Sequence, residues 1–183
     1  AGAVTATVRE RCEEKSLTWP VAFSADGSSQ IGGNISTNAG GVHVIRYGST
    51  REWVMGLTVV LMGGEVLTLG GGLVKNNTGP DLKHLFIGSE GILGIVTEAT
   101  LKLAPVVESR EVYFFVLKDL KSATDLFQQT RRYFPDELLA FELMDDRSVS
   151  LVSEQTPMTP PCAGEGEYYA LVEIEAREAK TNN

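Results

Sequence analysis

The chain has 183 residues, 43% of them hydrophobic, and a formal net charge of -8 from 16 Lys plus Arg against 24 Asp plus Glu. An acidic surface argues against nucleic acid or anionic lipid as a partner. No apolar run is long enough for a membrane span, and charges from Arg9 to Glu14 interrupt any secretory leader. Two cysteines, Cys12 and Cys162, are too few for a disulfide scaffold or a cysteine-rich metal centre, so a cytoplasmic location is expected.

Residues 3–15 read as an amphipathic helix with Val4, Val8 and Cys12 on one face. Trp19 to Phe23 is extended around Pro20, and Ala25 to Ser29 is a turn. Val54 to Met62 and Glu65 to Leu69 flank Gly63-Gly64 as the two arms of a hairpin. Gly79-Pro80-Asp81 opens a short helix over Leu82, Leu85 and Phe86, stopped by Gly88. Val96 to Leu103 alternates, which puts Thr97, Ala99, Leu101 and Leu103 on one side of a strand. The proline of Ala104-Pro105 closes this glycine-dense, nearly neutral stretch.

The acidic remainder has another rhythm. Glu111 to Leu117, Leu139 to Met144 and Tyr168 to Ile174 read as strands. A helix over 119–134 buries Leu120, Ala123, Phe127 and Phe134, and Asp146 caps a second helix through Val152. Thr156 to Gly166 is a loop, with Cys162 exposed in it, and the tail from Glu175 to Asn183 is polar. The fold class is α+β in two units, 1–105 and 106–183, with the strands on separate sheets.

The stretch Gly27 to Gly41 carries glycines spaced by Ser, Thr and Asn. It lacks the lysine of a P-loop and the spacing of a Rossmann fingerprint. Bare backbone N–H groups on a concave surface can cradle a pyrophosphate without fixed positive charge; a turn serving only sheet geometry is the other reading. Gly88, Gly91 and Gly94 recur at three-residue spacing ahead of a strand, where they serve close approach of a ligand or local packing.

Four blocks in order, Ile31 to Gly41, Arg46-Tyr47-Gly48, Lys75 to Leu82 and Leu85 to Thr97, resemble the FAD-linked oxidases, a family that includes glycolate oxidase D subunits, D-lactate dehydrogenases and D-2-hydroxyglutarate dehydrogenases. Phe141 to Asp145 resembles the opening of that family's substrate domain. The resemblance implies the second half of a PCMH-type FAD-binding domain with a mixed or antiparallel sheet, followed by the start of an α+β cap. It implies FAD as cofactor and a small 2-hydroxy acid as substrate, oxidised to the 2-oxo acid by hydride transfer to flavin N5. Ser28, Gly33, Asn34, Thr37, Asn38 and Gly41 are implied near the cofactor, with the backbone of Gly94, Ile95 and Val96 along the flavin side.

Residues 1–26 do not match the family's upstream pyrophosphate loop, and its substrate-binding histidines and basic groups lie late in the cap. The expectation is therefore an internal piece, inactive alone, without catalytic residues and in need of flanking segments. An oxidase on the same fold and a catalytically silent nucleotide-binding module are the alternatives. His43 and His84 have no ligand-like spacing for a metal, Arg46 reads as a triplet residue or a surface arginine, and Asp145-Asp146 read as helix-cap charges.

Overall fold

The computed structural model describes residues 1–159, 161, 164 and 166–176. The expectations for Cys162 and for the tail beyond residue 176 lie outside them. The chain divides into two compact units, Ala1–Val106 and Val107–Asn183. In order, the elements are α1 (Thr5–Glu13), β1 (Leu17–Thr18), α2 (Ile31–Ser36), α3 (Val44–Tyr47), a 3-10 turn (Thr50–Trp53), β2 (Val54–Val60), β3 (Val66–Gly70), α4 (Lys83–Phe86), β4 (Ile95–Leu101), β5 (Ala104–Pro105), β6 (Arg110–Leu117), α5 (Leu120–Tyr133), β7 (Leu138–Asp145), α6 (Asp146–Gln155) and β8 (Tyr168–Glu175).

The first unit is organised by a three-stranded antiparallel sheet in the order β3-β2-β4. The expected hairpin is present: β2 and β3 pair from Gly56↔Gly70 to Val60↔Val66, and Gly64 turns the chain at φ +93°. Leu57, Val59 and Val96 of this sheet pack with Trp19, Ile31, Ile35 and Ile87 in one apolar core. Each such fully buried aliphatic side chain contributes about 1.5–3 kcal/mol.

The strict alternation expected for Val96 to Leu103 is corrected. Thr58 pairs with Glu98 but Val59 pairs with Val96, so Thr97 is an extra residue that bulges from β4. A bulge reverses the phase of the pleat. Val96 therefore shares the core side with Ala99 and Leu101, while Thr97 is exposed. A compensating irregularity at Met55 lies in β2, between Val54↔Leu101 and Gly56↔Thr100. A two-residue ladder, Leu17↔Pro105 and Thr18↔Ala104, joins β1 to β5.

Two helical expectations also change. In α1 the fully buried side chain is Thr5, not part of the predicted apolar stripe, and Cys12 is half-buried with burial raising its thiol pKa. In α4, Lys83 and Phe86 face inward while Leu82 and Leu85 are exposed. One reason is ionic: the Lys83 ammonium is paired with the Asp81 carboxylate, so the cation can lie down against the protein.

The second unit is a three-stranded antiparallel sheet, β6-β8-β7, with β8 in the middle. β6 and β7 both run antiparallel to β8 and so parallel to each other, and α5 is the crossover that connects them. Asp119 caps α5 by accepting from the Ser122 amide at 2.7 Å. Ala123 and Thr130 are buried, and Phe127 meets Phe141 edge to face at 5.1 Å. The expected burial of Leu120 and Phe134 is wrong: both are exposed, and the inward positions of the helix are Ala123 and Thr130. The cap of α6 is Asp145, one residue earlier than expected, because β7 runs to Asp145 and its carboxylate takes the Ser148 amide at 2.7 Å.

Candidate functional site

The glycine-rich stretch is not an open loop throughout. Ile31 to Ser36 forms the six-residue helix α2, because Ile31 and Ile35, one turn apart, are both drawn into the core. The same turn buries Asn34 and leaves Gly33 and Thr37 exposed. Thr37 donates its hydroxyl back to the Gly33 carbonyl at 3.0 Å, and its oxygen keeps lone pairs for a further partner.

The expected cofactor residues separate by environment. Ser28 is exposed in the 24–28 turn, bonded through its amide and hydroxyl to the Ala25 carbonyl. Asn34 donates its amide to the Thr5 hydroxyl at 2.7 Å, and Thr5 in turn meets the Ser29 hydroxyl at 2.8 Å. Asn34 thus fastens α2 to α1 within the core. Asn38 adopts φ +49° and its side-chain oxygen Oδ1 accepts from Ser49 Oγ and the Arg51 backbone amide. Asparagine tolerates that conformation better than any other residue except glycine. Val96 is buried in the sheet core, and Ile95 is exposed beside it.

The glycines separate just as sharply. A Cβ on Gly41 would overlap the Ala22 carbonyl, against which the chain runs with Val42 donating to the same oxygen at 3.1 Å. A Cβ on Gly94 would lie 2.7 Å from a Val59 methyl and 2.9 Å from the Val60 carbonyl. Internal packing accounts for both. Gly33 is different: it has no positive φ, and a Cβ there would meet nothing within 4 Å. Glycine inside a helix costs about 0.5–1 kcal/mol relative to alanine, and nothing within the described residues requires it at this position. The backbone at Gly33, with Thr37 one turn on, is a surface on which a group from outside can lie against bare main chain. That fits a dinucleotide.

A second glycine segment docks onto the first. Gly88 donates its amide to the Ile35 carbonyl at 3.0 Å, and Glu90 donates to Ser36 at 2.8 Å. Gly88 and Glu90 both have positive φ, which lets the segment turn back toward α2. Thr50, fully buried, donates both its amide and its hydroxyl to the Ala39 carbonyl. Arg51 was not singled out from sequence. Its guanidinium bonds are chiefly to backbone carbonyls more than thirty positions along the chain, which leave little side-chain pattern to read. The arginine that sequence did single out, Arg46, lies half-buried over the Tyr47 ring. His43 meets Tyr47 edge to face at 6.3 Å. Asp81 is held below the ordinary carboxylate pKa chiefly by its bond from Lys83, with His84 adding to the effect. No helix among the described residues is long and apolar enough to cross a membrane.

Residues 1–70 match the model of an FAD binding domain, and residues 106–183 match the C-terminal domain of FAD linked oxidases. With these two models consecutive along most of its length, the chain belongs to the FAD-linked oxidase family, whose cofactor is FAD. Similar curated proteins include D-2-hydroxyglutarate dehydrogenases. The one from Stutzerimonas stutzeri is 43% identical over 177 residues, covering 96% of this chain and 37% of the relative. The mitochondrial one from Arabidopsis thaliana is 41% identical, covering 94% and 31%, and that from Bos taurus is 40% identical, covering 94% and 32%. The chain thus spans about a third of the length of these relatives. Among solved structures, an alkyldihydroxyacetonephosphate synthase superposes with a TM-score of 0.74 at 20% identity over 94% of this chain and 34% of its own, a likeness of fold.

Proposed function

We propose that the chain works as part of a longer flavoenzyme that oxidises a D-2-hydroxy acid to the 2-oxo acid, with 2-hydroxyglutarate favoured over lactate or glycolate. Residues 1–105 belong to its FAD-holding domain and 106–183 to its cap. The structural observation that supports the reading is Gly33, exposed, unstrained and unexplained by internal packing. The relatives named as D-2-hydroxyglutarate dehydrogenases support the substrate class. FAD, when bound, supplies the two-electron acceptor for the C2 hydride; the chemistry is the cofactor's, and the protein's share is binding and orientation.

In this reading Gly33 and Thr37 line the cofactor, and Ser28, Asn38 and Ile95 are its further contacts. Asn34, Gly41, Gly94 and Val96 hold the backbone that presents it. The base that takes the hydroxyl proton comes from segments beyond these residues, so the 183-residue chain alone turns over no substrate; without the family's upstream pyrophosphate loop it binds FAD weakly. The cytoplasm is the proposed location; relatives from Arabidopsis thaliana and Bos taurus are named mitochondrial, whereas the bacterial names carry no compartment.

The test is the whole protein, purified and examined for bound flavin, then mixed anaerobically with each acid. Bleaching of the flavin by D-2-hydroxyglutarate, followed by dye reduction, is the expected result. Oxygen consumption at a comparable rate would favour the oxidase alternative. A colourless protein that takes up no added FAD would leave the silent module.

A further inference from the structure

We infer that Arg51 is the positioning residue that sets the two glycine segments of the cofactor surface against each other; this rests on the flavin reading above. The guanidinium donates from Nη1 to the His84 carbonyl at 2.8 Å and from Nη2 to the Ile87 carbonyl at 2.5 Å. Nη1 also lies 3.3 Å from His84 Nδ1, and because arginine only donates, that nitrogen accepts. On its other side the Arg51 amide donates to Asn38 Oδ1 at 2.9 Å. One residue therefore grips the 84–87 turn with its side chain and the end of the 31–38 segment with its backbone.

Three further facts give the grip its consequence. Asn38 and Gly88 are both at positive φ, so each segment turns sharply beside Arg51. A Cβ on Gly88 would lie 3.2 Å from Asn38 Cβ and 3.3 Å from Arg51 Nη2, so the three groups are in close contact. The bonds Gly88 to Ile35 and Glu90 to Ser36 are then the direct seam between the segments, with Arg51 as its clamp. A planar fork reaching two carbonyls at once fixes distance and angle together, which a lysine ammonium on a flexible stem does not. Loosening the clamp lets residues 84–91 move away from Gly33 and Thr37, and ordering them again on binding consumes affinity.

The experiment uses the whole protein with Arg51→Met and Arg51→Lys, read by amide hydrogen exchange in peptides covering 36–39 and 86–91 and by titration with FAD. Arg51→Met is expected to speed exchange in both peptides together, to leave the β2 and β4 peptides unchanged, and to weaken FAD at least about tenfold. Arg51→Lys should keep the charge yet recover only part of the loss. If Arg51→Met does not fold, Asn38→Gly removes the Oδ1 acceptor while retaining the positive φ, and should loosen the same two peptides. Unchanged exchange in both peptides would overturn the clamp. Faster exchange with FAD affinity within twofold of wild type would overturn its role in positioning the cofactor surface. A wild-type protein that binds no FAD would instead overturn the flavin reading, and with it the identity of the surface that Arg51 holds.

Discussion

Alanine at Gly33 and alanine at Gly41 should act in opposite directions on stability. At Gly33 the added methyl enters open space at ordinary helical φ. Replacing a helical glycine there lowers the entropy of the unfolded chain and stabilises by up to about 1 kcal/mol. For a protein of this size that is a rise in unfolding midpoint of about 1–4 °C. At Gly41 the methyl overlaps the Ala22 carbonyl, so main chain must shift. Overpacking of this kind costs about 1–3 kcal/mol and lowers the midpoint by several degrees. If Gly33 exists to let a dinucleotide approach, its alanine variant, more stable without ligand, should bind FAD at least about tenfold more weakly, a loss of about 1.4 kcal/mol. The assay is thermal unfolding of the flavin-free 183-residue chain beside FAD titration of the whole protein. Gly33→Ala with undiminished FAD affinity would refute the argument, as would a fall in apoprotein stability beyond about 1 kcal/mol.

Two further expectations concern the framework. Asn34→Ala deprives buried Thr5 of its donor and should destabilise the chain by about 1–3 kcal/mol, seen as a lower denaturant midpoint; an unchanged midpoint would mean that the amide does not tie α2 to α1. Asp119 and Asp145 are held below the ordinary carboxylate pKa, chiefly by the hydroxyls of Ser122 and Ser148 and then by their amides. Their folded values lie below the unfolded one, so the stabilisation is complete above about pH 4 and is lost as pH falls through the folded values. Replacing both by Asn keeps an acceptor without a titrating group, and the acid limb of the stability curve should flatten below about pH 4. A limb identical to wild type would show that these caps carry no pH dependence.

Local chemistry is what the sequence shows most plainly. The Gly63-Gly64 turn flanked by β-rich arms announces the hairpin, and the strands near 111, 139 and 168 stand out by composition. Features carried by distant partners do not show. The bulge at Thr97 depends on the register with β2, which alternation in a single strand does not encode. Arg51 bonds to carbonyls, and a carbonyl is the same in every residue. Asn34 belongs to a motif of polar and small residues expected at a ligand, yet its amide turns inward to Thr5. In the glycine-rich segments, the pattern does not say which glycines answer to the chain's own packing.

The ladder between β1 and β5 is only two residues long, yet it joins Leu17 to Pro105 and so closes nearly the whole first unit into a ring. Bringing such distant positions together costs about 4 kcal/mol in chain entropy before any contact is made, far more than two strand pairs return. The ladder therefore cannot begin folding. It is expected to form after the β2–β3 hairpin and β4 and to open before them in the native protein, and amide hydrogen exchange in the two ladders checks that order.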